Sequence, residues 1–274
     1  MRLTVAGCWG GSPRPGGACS GYLVQHGGTS VLLDCGAGVA GSVQRACALT
    51  DIDDVIVSHF HHDHVSDAGV LMFARLVARQ LGQTDHTLTF YAPGFGGMSA
   101  SLDTHTAFDL ARLEMPGASH AVALDPTSRL SIGSLSFDFL QTKHPAPCLA
   151  TRVTCEEDGA KLVYTADAAL TSDLAAFCAG ADVLLCECSL YAGYDGQAMG
   201  HMSCEDVVEL ARVARPGTLV LTHLPIYGDV TDLLAYVRSG LAPDEVADVL
   251  LADRPPAGAL AGDMLSIPIA RRKG

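Results

Sequence analysis

Nowhere among the 274 residues is there an uncharged apolar run approaching the roughly 18 that a membrane helix needs, which excludes a helical span. The opening Met1-Arg2-Leu3-Thr4-Val5-Ala6-Gly7-Cys8 lacks the basic region, long apolar region and cleavage site of a secretory signal, so a cytoplasmic setting is expected. No CxxC pair stands out: the closest cysteines, Cys186-Glu187-Cys188, have one residue between them. The ten cysteines are therefore expected to stay reduced, mostly as small buried hydrophobes. Dense basic runs are missing apart from Arg271-Arg272-Lys273, and the formal net charge is −13. Such a surface repels nucleic-acid backbones and weighs against a nucleic-acid partner. The 29 glycines follow no fixed period and no low-complexity linker divides the chain, which argues against a repeat array or a two-part organisation.

What is present is a large apolar fraction. Hydrophobic residues make up 49% of the chain, enough for a sizeable core without disulfide staples. Apolar and β-branched runs predict strands at Leu3–Ala6, Gly21–Val24, Ser30–Leu33 and Asp54–Ser58. Further strands are expected at Thr87–Ala92, Leu135–Thr142, Ala150–Cys155, Lys161–Thr165, Val183–Glu187 and Leu219–Thr222. Helices are expected near Ala40–Ala46, from about Asp67 to Leu81, and at Ala107–Leu113, Ser172–Ala179, Cys204–Val213, Val230–Arg238 and Asp244–Leu250. After Asp67, residues Val70, Leu71, Phe73, Ala74, Val77 and Ala78 recur at helical intervals. Ser203 and Asp206 have capping-box spacing, and Pro216-Gly217 ends the helix they open. Both element types run throughout, predicting one α/β (α+β) domain over 1–274 with two sheets flanked by helices.

One stretch carries the chemistry. Ser58-His59-Phe60-His61-His62-Asp63-His64 follows a short apolar strand and reads HxHxDH, with His59, His61, Asp63 and His64 at the pattern positions. A turn there leaves imidazoles and a carboxylate projecting from a strand end. Neutral imidazole and carboxylate are the donors that suit zinc and similar divalent ions. Four of them within six residues crowd a single catalytic ion that must keep an open position, and two ions would relieve the crowding. Later candidates also fall at the ends of apolar strands: His144 in Thr142-Lys143-His144-Pro145, Asp167 in Tyr164-Thr165-Ala166-Asp167-Ala168, and His223 in Leu221-Thr222-His223-Leu224.

With Val31-Leu32-Leu33-Asp34-Cys35-Gly36, a strand ending in DxG, this order resembles the metallo-β-lactamase superfamily over nearly the whole chain. The resemblance implies an αββα four-layer sandwich and a dinuclear-metal-dependent hydrolase. By it, one divalent ion takes His59, His61 and His144, the other takes Asp63, His64 and His223, and Asp167 bridges them. Zinc is the expected metal, with Mn2+ or Fe2+ as alternatives in the oxygen-richer position. Two ions roughly 3.5–4 Å apart share a hydroxide at neutral pH, which Asp63 would also aim. Asp34 either orients a ligand or forms the turn.

Glu187 at a strand end, and Gly200-His201-Met202-Ser203 opening a helix, resemble features of the tRNA 3′-processing (ribonuclease Z-like) endonucleases and related phosphodiesterases. There the histidine stabilises or protonates the leaving oxygen, which implies a catalytic role for His201 with Glu187 as its support. The chain departs from the tRNA enzymes. Only 23 positions separate His144 from Asp167, too few for their protruding arm. Leu224-Pro225-Ile226-Tyr227 lacks their arginine before tyrosine, and Ala166 and Ala168 replace a glycine and a hydroxyl residue. The spacing instead resembles the compact phosphodiesterases, so the expected substrate is a small phosphodiester such as a cyclic nucleotide. The alternatives are a carbonyl-directed hydrolase (lactonase, thioesterase or β-lactamase type), an RNA-processing endonuclease, and a non-catalytic metal-binding module. The last would usually have lost a ligand, and all seven are present here. A homodimer is the default expectation from related enzymes. The loops Gly7–Ser20, Phe95–Leu102 and Tyr191–Gly200 are expected to shape the pocket.

Overall fold

Alternating side chains divide the apolar residues of the first half between two cores. Tyr22, Val24, Val31 and Leu33 join one core, while Leu23 and Leu32 join the other, because successive residues in a strand leave opposite faces. The computed structural model describes residues 1–95, 109–254 and 264–272. Among these, one sheet contains β1 (Arg2–Gly7), β2 (Gly21–His26), β3 (Thr29–Leu33), β4 (Asp54–Ile56), β5 (Leu88–Pro93) and β6 (Ser119–Leu124) in spatial order. The other contains β7 (Arg129–Ile132), β8 (Leu135–Gln141), β9 (Leu149–Cys155), β10 (Lys161–Tyr164), β11 (Val183–Glu187), β12 (Thr218–Thr222) and β13 (Asp248–Leu251). The last strand, β14 (Ser266–Pro268), returns to pair antiparallel with β1. Both sheets are mixed. β3 to β6 run parallel, as do β10 to β13, and the remaining neighbours are antiparallel.

Leu3, Tyr22, Leu33 and Ile56 from the first sheet share a core with Phe137, Phe139 and Val153 from the second. Each fully buried side chain of this size contributes about 1.5–3 kcal/mol. On the outer face of the first sheet, Leu23, Leu32 and Val55 meet Val39, Leu71 and Met72 from helices Val39–Ser42 and Ala68–Gln80. Helices Ser172–Cys178, Cys204–Ala214 and Val230–Gly240 contribute Leu174, Leu210 and Leu233 beside the second sheet. The result is the expected αββα layering. All ten cysteines are free and nine are buried. Among the described residues, no helix is long and apolar enough to cross a membrane.

Five readings need correction or completion. Asp244–Leu250 was expected as a helix, but Asp248–Leu251 is a strand paired parallel with β12. Its Val249 and Leu251 are buried, and a two-residue period against a parallel neighbour outweighs local helix preference. Within Ala107–Leu113, the described part is a 3-10 turn, Leu110–Leu113, capped by Asp109, while 107 and 108 lie outside the described residues. Strands β6, β7 and β14 were not anticipated; β6 and β7 are sheet edges whose side chains are mostly exposed or half-buried. In helix Ala68–Gln80 the buried stripe is Ala68, Leu71, Met72, Arg75 and Ala78, whereas Val70 (54%) and Phe73 (62%) are exposed. Of the expected pocket loop Phe95–Leu102, all but Phe95 lies outside the described residues.

Candidate metal centre

Every candidate ligand stands just past the carboxyl end of a strand: His59 to His64 after β4, His144 after β8, Asp167 after β10 and His223 after β12. Strand ladders stop there, and side chains from separate strands converge on one crevice. A single helical turn, His62–Val65, delivers Asp63 and His64 inward. The turns are tight. Asp34 (φ 59°), Ala166 (φ 50°) and His223 (φ 48°) adopt the left-handed conformation, which costs on the order of 1–3 kcal/mol at a non-glycine residue. Ala166 thus occupies a position that glycine would adopt without strain. Gly36 is required for a different reason: a Cβ there would lie 2.0 Å from the Asp63 carbonyl oxygen.

The structure brings all seven candidates together. Ligand atoms of His59, His61, His144 and Asp167 lie within 4.8 Å of one another, and so do those of Asp63, His64 and His223. His61 Nδ1 is 3.0 Å from His59 Nε2 and 3.2 Å from His144 Nε2. Asp167 stands between the sets, with Oδ1 3.3 Å from His64 Nε2 and Oδ2 3.3 Å from His223 Nε2 and 3.6 Å from His59 Nε2. His201 also reaches this point, since Asp167, His201 and His223 meet the same distance limit.

The donor set fits divalent cations. His64 Nε2 and Asp167 Oδ1 are buried and make no hydrogen bond, although buried polar atoms are nearly always paired. A cation among imidazoles and carboxylates would satisfy both. Burial, aided by neighbouring imidazoles, holds His59 far below its ordinary range and His61 down at about 4, so both offer neutral nitrogen. Burial also opposes charge on His64 and His223, but Asp167 and Asp63 outweigh it and raise both. In return, His64 and His223 overcome desolvation and hold the Asp63 and Asp167 carboxyls well below the usual carboxylate range. Metal binding would displace protons from the raised histidines, as such binding generally does.

Outer contacts orient these groups. Asp34 both forms the turn and accepts from His64 Nδ1 (2.8 Å), the Ser58 amide (2.7 Å) and hydroxyl (2.9 Å), and Tyr164 Oη (2.8 Å). The Gly11 amide donates to Asp63 Oδ2 (2.6 Å), and His144 Nδ1 faces the Gly200 carbonyl (3.0 Å). Glu187 is fully buried, and its Oε1 lies 3.1 Å from His201 Nδ1. Burial alone would depress His201, but Glu187 raises it to about 9. Ser58, Ser189, Tyr164 and Gly11 were missed from sequence. Hydroxyls and backbone amides have no spacing rule of their own, so nothing in the sequence marked them out.

A model of the beta-lactamase superfamily domain matches residues 29–224. The Bacillus subtilis (strain 168) protein named "Probable metallo-hydrolase YhfI" is 38% identical over 229 residues, 83% of this chain and 88% of that protein. The crystal structure of that metallo-beta-lactamase fold protein superposes with a TM-score of 0.81 at 34% identity, covering 92% of this chain and 96% of the other. Human tRNase Z, short form, gives a TM-score of 0.67 at 20% identity, covering 98% and 99%. A diphosphatase from the PhnP family gives 0.68 at 15%, covering 99% of each chain. These last two likenesses bear on the fold alone.

Proposed function

Because the chain belongs to the beta-lactamase superfamily and by that kinship is a metallo-hydrolase, we propose that it cleaves a small phosphodiester, a cyclic nucleotide being one such substrate. His59, His61 and His144 would hold one divalent ion, Asp63, His64 and His223 the other, with Asp167 between them. Zinc is the proposed metal, with Mn2+ or Fe2+ as alternatives. When bound, such ions acidify water and neutralise charge on phosphoryl oxygens.

The observation that carries this reading is the Glu187–His201 pair. A departing alkoxide needs a proton, and a group beside the reacting centre must hold it until the bond breaks. His201 Nδ1 is turned toward Glu187 Oε1 at 3.1 Å, which leaves Nε2 as the nitrogen able to serve substrate. His201 Nδ1 is also 4.0 Å from Asp167 Oδ2, so the ring borders the ligand cluster. Asp63, fixed by the Gly11 amide, aims its carboxylate into the same space. Small substrates are favoured because only β9, β10 and their short connections lie between His144 and Asp167. The −13 charge also argues against a polyanionic partner.

Turnover of bis-p-nitrophenyl phosphate should exceed that of a lactone and a thioester in the metal-loaded enzyme. Faster carbonyl hydrolysis would overturn the reading, and efficient cleavage of a tRNA precursor would move it to RNA processing.

A further inference from the structure

Glu187 does more than hold His201. Its Oε1 accepts from the Ala168 amide (2.6 Å) as well as from His201, and its Oε2 accepts from the Met202 amide (3.2 Å) and the Ser189 hydroxyl (2.5 Å). The same hydroxyl oxygen lies 2.7 Å from His223 Nδ1. A hydroxyl has one proton and two acceptor lone pairs. With the proton committed to a buried carboxylate, the charge-assisted choice, Ser189 can only accept from His223 Nδ1–H. Without an ion, Nε2 is left to donate to Asp63 Oδ2 at 3.0 Å, and a cation that displaces that proton would meet the Nε2 lone pair. Donation to the His223 carbonyl, at 3.2 Å, would forfeit that shorter carboxylate bond.

The arrangement repeats on the other sheet. Ser58 Oγ donates to Asp34 Oδ2 at 2.9 Å and lies 3.0 Å from His59 Nδ1. Each serine stands two residues past its strand, after Ile56 in β4 and after Glu187 in β11. Each links a buried carboxylate to a histidine of a different ligand set. His59 has a further neighbour in Cys148 Sγ at 3.6 Å, whereas His223 Nδ1 faces the Ser189 hydroxyl.

We propose that Ser189 is a positioning residue that relays Glu187 to His223. It selects the imidazole nitrogen that faces the metal centre and makes retention of the ion at Asp63, His64 and His223 depend on the carboxylate that holds His201. The proposal rests on the ligand assignment above. It predicts an asymmetric loss: truncating Ser189 loosens one ion and spares the other.

The test measures Zn2+ stoichiometry and affinity at buffered free metal, with Co2+ absorption spectra, in wild type, Ser189→Ala, Ser189→Cys and Ser189→Thr. Ser189→Ala and Ser189→Cys should keep one ion at wild-type affinity and bind the second about 10–100-fold more weakly, the usual effect of losing a ligand's outer partner. Ser189→Thr, which restores the hydroxyl, should restore both ions and the cobalt spectrum. Unchanged affinities, equal weakening of both ions, or no rescue by threonine would each overturn the relay. A wild-type chain that takes up no ion would instead overturn the ligand assignment.

Discussion

Asp167 faces imidazoles of both ligand sets through its two oxygens, which places it between the two ion positions. Asp167→Ala should therefore abolish metal retention and hydrolysis together, measured as metal content and phosphodiester turnover; unchanged activity would refute the bridging role. His201 makes the opposite prediction. Its loss should lower turnover about 10²–10⁴-fold, the range of a general acid, while leaving two ions bound. If metal content falls as well, His201 is acting as a ligand with Asp167 and His223, which its position allows.

The helix Ala68–Gln80 is anchored through a buried cation. Arg75 donates to the Ile52 carbonyl (2.6 Å), the His86 carbonyl (3.2 Å) and Asp53 Oδ1 (2.7 Å), tying the helix to the segments that lead into β4 and β5. Arg75→Met should cost about 2–3 kcal/mol, because buried acceptors lose their donor, and a thermal melt would read this directly. Partial burial opposes charge on Asp53, but His86 and Arg75 outweigh it and hold the carboxyl below its ordinary range. This stabilisation is present above the unfolded-state carboxyl pKa and is lost as pH falls through the lowered folded value. His86, raised by Asp53, has the opposite sign: its share is lost as pH rises through the raised value. Asp53→Asn should accordingly flatten the acid side of the melting profile, and an unchanged profile would refute the link.

At the scale of the molecule, the candidate centre joins the two sheets. The HxHxDH turn comes from the first, and His144, Asp167 and His223 come from the second. Ions bound there would cross-link both halves of the fold. Chelation should thus lower the melting temperature in a single cooperative transition, and readdition of metal should reverse it. A ligand at 100 times its Kd contributes about 2.7 kcal/mol in this way. Equal melting temperatures with and without metal would contradict a centre shared by the sheets.

The sequence, through its strand patterning and the family resemblance it carries, was enough to determine ten of the strands, the layered fold class and the seven candidate ligands. A histidine or aspartate declares its donor chemistry wherever it stands, and strand ends concentrate such groups. It misjudged Asp244–Leu250, where a parallel neighbour rather than local propensity chose strand, and it could not tell which stripe of Ala68–Gln80 is buried. Tertiary structure alone decided the roles of Ser58, Tyr164, Ser189 and the Gly11 amide. A hydroxyl or an amide is chemically ordinary until folding sets a carboxylate or an imidazole within about 3 Å of it, and the partners here lie up to 130 positions away.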